Sequence, residues 1–570
     1  MMKLRLTFTA LIIFANSLTG QISPKIKIIG GARSIIQNQD IQVFDSVADN
    51  KTAKAKAGGY SLIDLGFNIL PNKNTEILGM IRIKNQYGGF YGGGVTFDVR
   101  QMWLKGILAD AVRYQLGDIN LKQTPFTFYN HNEDNSVLQN PINHIQQEIV
   151  NYESFYKSNT WRQQGISIDF GLNFAKHIEE VNFNGYLTRL NMTNFGDVPE
   201  RLFGGGTIDL IANKNLSAQY NLSSVFDVTG TSLDSNSFRN VVQTIGFRHA
   251  HRWKNLDLTL KLETGTSHTY LTRDTLSPDL NDYFLNPSLS FDFPKSNFSV
   301  TVAYLNVGPD FRSPGAQSKR VDYQSALTQF GLYKNNQVDR PIHLTDIFSD
   351  DKIYRTSINT KIMAYHPLIN NVLPYGLATF NRNGFYSNLN WKNVAKSINI
   401  NWAHYMLSEI RGQGTKALKK YTMSQVQLGV DVNKFIKLER KLKISTSLVY
   451  QQTDRTSDID FEKVNLNSIQ LATGLEWEVA TNFDFMLGYT MLKGDGNDQI
   501  SLRNNYSQVT DFQNYSSKET QTILAAGLKY NFSNKTYLGL LYQQFEYVND
   551  NFTYDNYKMN QISIIYNLLF

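Results

Sequence analysis

The 570-residue chain contains no cysteine, which excludes disulfide bonds, zinc–thiolate sites, iron–sulfur clusters and thiol catalysis. Beyond its N-terminus it also lacks any run of about 18 consecutive apolar residues, the length that a membrane-spanning helix needs. Its 56 basic residues exceed its 49 acidic ones only slightly and form no dense block, so we expect no nucleic-acid partner. Proline (13) and glycine (38) are sparse, whereas Tyr (31) and Phe (35) are abundant, which excludes a disordered or collagen-like chain.

The first 20 residues have the order of a secretory signal peptide. Lys3 and Arg5 precede an apolar run over residues 6–15, and small residues follow up to Gly20. The apolar run is too short to span a bilayer as a helix. We therefore expect export of the chain, with residues 21–570 as the mature protein.

The rest of the chain repeats a period of two, in which apolar and polar residues alternate over roughly 10 to 14 positions, as expected of strands with one apolar face. A clear example has apolar residues at Ile166, Ile168, Phe170, Leu172 and Phe174. About 22 such segments are recognisable, beginning near residues 25, 58, 75, 94, 109, 161, 181, 202, 215, 239, 255, 283, 297, 384, 396, 421, 441, 465, 483, 518, 536 and 557.

The connections between these segments alternate between short turns and long loops. The long ones are residues 39–57, 121–160, 266–282, 308–383 and 494–517. Long loops at one end and short turns at the other are typical of outer-membrane barrels, and strands cross lipid only as a closed sheet. The soluble alternative, a solenoid or stacked β-sandwiches, calls for an internal repeat at a fixed period, and none is found.

These patterns predict an all-β fold. Residues 21–570 are expected to form one transmembrane antiparallel up-and-down β-barrel of about 22 strands, within a range of 16 to 22. Its short turns would be periplasmic and its long loops extracellular.

The C-terminal segment, residues 557–570, has apolar residues at every second position and ends in an aromatic residue. With this ending, the chain after the signal peptide resembles large porin-like outer-membrane β-barrel proteins of Gram-negative bacteria, although no single family is identified. The resemblance implies an outer-membrane location in contact with lipid. It also implies that Tyr566, Leu568 and Phe570 form the signal read by the barrel-assembly machinery.

The polar face of three neighbouring strands predicts a charged lumen wall. If Ile77, Ile81 and Ile83 face lipid, the alternating residues face inward. The resulting basic patch comprises Arg82, Lys84, Arg100 and Arg113, with Glu76 and Asp98 as acidic partners. Such a patch either orients anionic or dipolar solutes or pairs internally and stiffens the wall.

Four tryptophans lie near predicted strand ends. Trp103, Trp391 and Trp477 lie near periplasmic ends and Trp161 near an external end, so we expect them to be interfacial aromatics. The alternative for each ring is ordinary packing beneath a loop.

The two longest loops are too long to be bare connections. Ile142, Ile145, Ile149 and Tyr152 within loop 121–160 recur at helical spacing and predict a short amphipathic helix. Loops 121–160 and 308–383 either fold into the barrel mouth or stand outside it as a docking surface, and the sequence leaves both possibilities open.

No catalytic constellation, cofactor motif or metal-spaced histidine cluster is found, so we expect neither an enzyme nor a bound cofactor or metal. The favoured function is a passive, porin-like channel for small polar or anionic solutes. The alternative is a non-conducting structural or receptor subunit that binds other outer-membrane or periplasmic proteins. A TonB-dependent transporter is less favoured, because the first strand begins near Lys25 and leaves no room for the plug domain that precedes such barrels.

Overall fold

The computed structural model describes residues 25–44, 55–87, 94–134, 140–174, 177–233, 237–272, 280–325, 342–504 and 508–570. The predicted signal peptide, residues 1–20, lies outside these ranges, and export therefore stays a prediction. Within them the chain is dominated by long β-strands.

The strands are β1 Lys25–Val43, β2 Ala55–Asn72, β3 Thr75–Gln86, β4 Val95–Leu108, β5 Val112–Leu121, β6 Trp161–Asn173, β7 Glu180–Asn191, β8 Arg201–Asn213, β9 Leu216–Asp227, β10 Ser237–Arg252, β11 Asp257–Thr272, β12 Leu280–Phe293, β13 Phe298–Val307, β14 Arg382–Lys392, β15 Ile398–Ser408, β16 Lys420–Asp431, β17 Leu442–Arg455, β18 Val464–Ala480, β19 Phe483–Arg503, β20 Val509–Ser533, β21 Thr536–Asn549 and β22 Tyr557–Leu569. The helices are α1 Pro141–Glu153, α2 Pro314–Gln317, α3 Leu344–Ser349, α4 Pro367–Asn370 and α5 Val432–Phe435.

Each strand pairs antiparallel with its sequence neighbours, and β22 returns to pair with β1. Thirteen residue pairs form this closing seam, from Gly31 opposite Leu569 to Val43 opposite Tyr557. The sheet is therefore a closed 22-stranded barrel without a free edge. The predicted fold class is confirmed.

The two faces of the strands differ as the alternation predicts. On β22, Ile562 and Ile564 are 49% and 43% exposed on the outer surface, whereas Ser563 and Ile565 are 3% and 2% exposed on the inside. An apolar outer surface is stable only against hydrocarbon, because exposing this area to water carries a large hydrophobic cost. The alternation therefore sets which side of each strand lines the lumen.

The strand boundaries follow the sequence closely, with one clear exception. The predicted start near residue 518 is wrong, because β20 begins at Val509 and pairs there with Arg503 of β19. This part of β20 carries polar residues on both faces and therefore lacks the alternation that marks a strand in lipid. The long loops expected at 266–282 and 494–517 are likewise mostly strand.

In the described part of the chain, no helix is both long and apolar enough to span a membrane. The helix predicted within loop 121–160 is present as α1, and Asn140 caps its N-terminus by accepting from the backbone amides of Ile142 and Asn143. One face of α1 is buried, including Ile142, Ile145 and Val150.

The two longest connections fold into the barrel. We call their described parts, residues 122–134, 140–160, 308–325 and 342–381, the lumen plug. Hydrophobic clusters join the plug to the inner wall, such as Leu368 and Ile369 packed with Leu466 and Leu492. Of the two positions that the sequence left open for these loops, the structure shows the one inside the barrel.

Candidate solute path through the lumen

Part of the predicted basic patch surrounds the fully buried carboxylate of Asp64 on β2. Arg82 on β3 donates from Nε and Nη2 to the two oxygens of Asp64, at 2.7 Å each. Arg100 on β4 lies 3.2 Å from the same carboxylate, and the hydroxyl of Tyr152 on α1 donates to it. Bidentate, buried pairs of this kind are stronger than exposed ones.

The same arginines hold the C-terminal end of α1. Glu153 accepts from Arg33 on β1 at 2.7 Å and pairs through its other oxygen with Arg82. Desolvation opposes ionisation of Glu153, but the hydrogen bonds and charges of Arg82 and Arg33 lower its pKa below the ordinary value. We call Arg33, Asp64, Arg82, Arg100, Tyr152 and Glu153 the wall latch. Removing one partner from such a buried network costs about 3–5 kcal/mol.

The other predicted charges near the latch have separate partners. Lys84 lies over the ring of Tyr60, 4.4 Å from its centroid, and Glu76 pairs with Lys105 at 2.8 Å. Asp98 lies opposite Arg82 in the register but is exposed. The expected pairing of Asp98 with the patch is not present, because Arg82 binds Asp64 on the strand at its other side.

Arg113 does not join Arg82 and Arg100. It pairs with Asp169 and lies opposite Ile107, which is seven residues from Arg100 on β4, or about 24 Å along the strand. A β-bulge at Arg100 also shifts the register of β3 and β4. The predicted four-residue basic patch is therefore not one cluster: Arg82 and Arg100 belong to the latch, Lys84 lies over Tyr60, and Arg113 lies at the short-turn rim.

Buried ion pairs join the two halves of the plug. Glu133 pairs with Lys319, and Asp134 pairs with Arg320 at 2.7 Å, with all four side chains 1% exposed. Lys319 also donates to the carbonyl of Pro374 at 2.8 Å. Desolvation raises the pKa of Glu133 and lowers that of Lys319, but each charge is compensated by its partner. We call these four residues the plug core.

The plug is also bound to the inner wall at β17, β19 and β20. Asn371 donates to the Thr453 hydroxyl and to Asp498, at 2.9 Å each. The backbone amide of Leu344 donates to Gln521 Oε1 at 3.0 Å. The plug is thus held at the latch and at β17–β20, and its own residues fill much of the long-loop half of the lumen.

The short-turn half of the lumen is more open. A space of about 500 Å³, which we call the large vestibule, lies between α1 and the inner faces of β14–β18. Its lining includes Asn399, Asn401, Gln427, Lys443 and Ser445. A second space of about 390 Å³ lies against β8–β12 and is lined by Asp209, Arg248, Lys261 and Glu263, among others. Both spaces are suited to water and polar solutes.

A third space continues the large vestibule toward the long-loop side. This inner cavity of about 260 Å³ lies between the plug and β15–β17. Gln427 and Ser447 line the vestibule, and the next inward residues of their strands, Gln425 and Val449, line the inner cavity. The two spaces are therefore consecutive along one wall and mark a candidate solute path.

Two of the predicted interfacial aromatics lie on the outer surface. Trp477 is 44% exposed, and Trp391 shares the outward face of β14 with Phe385, which is 56% exposed. Both rings lie near short turns. Their position agrees with the face that an interfacial ring requires, and contact with lipid headgroups stays a prediction.

The other two tryptophans lie elsewhere. Trp161 is 1% exposed and donates from Nε1 to the carbonyl of Gly315 at 3.1 Å, so it packs beneath the plug. Trp103 lies 4.5 Å from the ammonium of Lys105 on the inward face of β4. The expectation of an outward girdle is wrong for both. Trp161 shares the inward face of β6 with the buried Gln163, whereas the outward face carries Ile168 and Phe170, and the bulge at Arg100 turns Trp103 to the inward face of β4.

The C-terminal residues lie on the outside of the closing seam. Tyr566 and Phe570 are 37% and 53% exposed, and Leu568 lies between them on the same face. The backbone groups of Phe570 exchange two hydrogen bonds of 3.0 Å with Gly30. Recognition of these side chains by an assembly machinery stays a prediction.

Sequence reasoning missed the acidic members of the latch and the plug core. Asp64 is an isolated acid within the apolar stretch of β2, and such a residue in a strand that crosses lipid calls for a buried partner. Glu133 and Asp134 are adjacent, as are Lys319 and Arg320. Two complementary adjacent pairs in the two longest loops were a usable signal for contact between those loops.

In the described ranges, no three His, Asp or Glu side chains are grouped as a metal site would require. No known protein family and no curated protein matches the sequence.

Several solved outer-membrane proteins are similar in structure to this chain. The structure of Pseudomonas aeruginosa OccK5 (OpdH) has 10% sequence identity and a TM-score of 0.34, with 96% of this chain and 98% of that chain covered. A BenF-like porin from Pseudomonas fluorescens Pf-5 has 9% identity and a TM-score of 0.35, with coverage of 96% and 99%. The outer membrane channel DcaP of Acinetobacter baumannii has 9% identity and a TM-score of 0.26, with coverage of 97% and 99%. The fold itself is established by the strand pairings of this chain.

Proposed function

We propose that the chain is a porin-like passive channel for small polar or anionic solutes in the outer membrane of a Gram-negative bacterium. The observation that carries this proposal is the pair of consecutive spaces along β15–β17, of about 500 and 260 Å³, between the plug and the inner wall. A protein with a purely structural role has no need of consecutive spaces with polar lining residues along the inner wall of its barrel.

Charge in the large vestibule supports a preference for anions. Lys392 and Lys443 line this space, and in the described part of the chain neither has an ion-pair partner. The acids nearby are occupied, since Asp431 pairs with Lys434 and Glu476 with Lys441, at 2.7 Å each. Unpaired positive charge on the wall of such a space raises the local concentration of anions.

The plug supports selective passage in place of free diffusion. An empty barrel of 22 strands would be wide open, whereas here the plug leaves narrow spaces along the wall. We infer that only small solutes pass and that movement of the plug controls the long-loop end of the path.

The proposal also includes the signals for export and for insertion into the outer membrane. Residues 1–20 are proposed as an export signal, and Tyr566, Leu568 and Phe570 as the signal for the barrel-assembly machinery.

Conductance of the purified, folded protein in planar bilayers tests this function. We expect discrete openings and a reversal potential that shows anion preference in a salt gradient. A variant in which residues 342–381 are replaced by a short linker serves as the positive control, and its single-channel conductance should be larger than that of the intact protein. If the intact protein gives no openings while this control conducts, the channel function is wrong, and co-purification of partner proteins would favour the receptor or structural alternative.

A further inference from the structure

The inner cavity is lined by polar side chains that lack protein partners. In the described part of the chain, the His131 ring and the hydroxyls of Tyr129 and Tyr405 receive or donate no side-chain hydrogen bond, and all three line the cavity. All three side chains are half-buried and face this space, where each is free to form hydrogen bonds with water or with a ligand. Together they give the cavity a polar lining with several donors and acceptors.

A glycine with a left-handed backbone holds one of these groups in place. Gly376 has φ +61°, and a Cβ atom there would lie 2.9 Å from His131 Nδ1. Only glycine combines this backbone conformation with such close approach to the ring. The plug backbone is therefore shaped to position His131 against the cavity.

The cavity carries no uncompensated charge. Glu133 at its edge is bound to Lys319, and Arg320 is bound to Asp134. Desolvation, with the charges of Lys319 and Arg320, lowers the pKa of His131 to about 4, so its ring is neutral at pH 7. A charged ligand would lose hydration here without gaining a counter-charge, which disfavours it strongly.

The unpaired groups set the ligand chemistry. A tyrosine hydroxyl both donates and accepts, a neutral imidazole has one donor and one acceptor, and the Gln425 amide that also lines the cavity has both. Hydroxyl groups complement all of these. The volume of about 260 Å³ corresponds to roughly nine water molecules at ~30 Å³ each, or a compact ligand of about a dozen non-hydrogen atoms.

We propose that the inner cavity binds one small, uncharged molecule that carries several hydroxyl groups, of the size of a monosaccharide. The rings of Tyr129 and Tyr405 offer apolar surface to its C–H groups, while the cavity's polar atoms take its hydroxyls. The inference rests on the proposed function, because solute reaches the cavity through the lumen. The inner cavity is then a binding site for a neutral solute, whereas the vestibule lysines set the preference among the ions that pass.

Titration calorimetry on the folded full-length protein in detergent tests the site, with D-glucose as the probe and gluconate as its charged counterpart. We expect saturable glucose binding and at least tenfold weaker gluconate binding. The variants His131→Phe and Tyr405→Phe each remove one polar partner and should weaken glucose binding at least tenfold. Tyr450→Phe is the matched control, because Tyr450 bonds to Gln452 and Asn467 and does not line the cavity; it should bind as the unaltered protein does.

Calorimetry needs no ion flow, so its result is separate from the conductance test of the channel. Absence of saturable glucose binding by a correctly folded protein would overturn the inference. Equal weakening by Tyr450→Phe and Tyr405→Phe, or gluconate binding as strong as glucose binding, would overturn it as well. Glucose binding by a protein without conductance would leave the site standing and refute the channel.

Discussion

Arg82 and Asp64 face each other across neighbouring strands and form a bidentate ion pair, with both hydrogen bonds 2.7 Å long. Asp64 is fully buried, and Arg82 extends past it to Glu153 at the end of α1. One arginine thus connects the barrel wall to the plug. The wall latch is the place where plug position and wall structure are coupled.

Loss of the Glu153 charge is expected to release α1 from the latch. Glu153→Gln leaves Arg33 and Arg82 short of one counter-charge, at a cost of about 3 kcal/mol. We expect faster proteolytic cleavage within residues 140–160 and noisier single-channel currents. Glu148→Gln on the same helix is the control, because that side chain is 59% exposed. Equal cleavage rates for the two variants would contradict the role of the latch.

The plug core is expected to stabilise the folded loops more than any exposed ion pair. Lys319→Met leaves Glu133 buried without its partner, which costs about 3–5 kcal/mol, whereas Glu133→Gln combined with Lys319→Met should recover much of this loss. Hydrogen exchange of residues 308–325 measures the effect. Lys463→Met is the comparison, since Lys463 and Asp460 form an exposed pair worth less than about 1 kcal/mol. Unchanged exchange in Lys319→Met would count against the plug core.

Plug docking is expected to weaken as the pH falls from about 6.5 to about 4. The pKa of His131 is lowered to about 4 in the docked plug, whereas a released plug binds a proton near the ordinary value of about 6.5. The released state therefore gains protons first, and docking loses up to about 3 kcal/mol over this window. Proteolysis of the plug measured across this pH range reports the change.

Burial raises the pKa of Glu133 in the docked plug. As the pH falls, the docked state therefore takes up this proton before the released state does, and protonation of Glu133 favours docking, opposite to the effect of His131. The quantity to compare is therefore the acid-induced increase in proteolysis of the plug, in the unaltered protein and in His131→Gln. We expect this increase to be smaller in His131→Gln. The exposed His144, replaced by Gln, should change nothing. A pH profile identical in His131→Gln would refute the assignment.

The alternation of apolar and polar residues predicted the barrel, because each membrane strand has lipid on one face and the lumen on the other. This constraint acts on every second residue. The plug lies under no such constraint, so its position could not be read from local pattern. Three further errors have local causes. A bulge at Arg100 shifts the register of β4, Trp161 lies on the inward face of β6 beneath the plug, and the polar start of β20 resembles a loop. Contacts between distant segments, such as Glu133 with Lys319, determine how the lumen is filled, and the period-two alternation carries no information about them.

The vestibule lysines are expected to set ion preference. Lys392→Glu with Lys443→Glu replaces two positive charges of the large vestibule by negative ones, and we expect the permeability ratio of anions to cations to fall several-fold. Reversal potentials in a salt gradient measure this ratio. Lys214→Glu, in the exposed β8–β9 turn, changes charge outside the vestibule and should leave the ratio unchanged. The same fall in Lys214→Glu would show that the effect comes from overall charge.

Deletion of Phe570 tests whether this residue acts as a recognition signal or only stabilises the closing seam. Phe570 adds two backbone hydrogen bonds with Gly30 to a seam of thirteen residue pairs, so its loss should cost only about 1–3 kcal/mol. Refolding in detergent should therefore be nearly normal. If the aromatic end is the assembly signal, the heat-modifiable folded fraction in outer membranes should still fall strongly, and Phe570→Tyr should restore it. A normal folded fraction of the deletion variant in outer membranes would refute the role of Phe570 as an assembly signal. An equal loss of folded protein in detergent would assign the effect to the stability of the closing seam, because the assembly machinery is present only in cells.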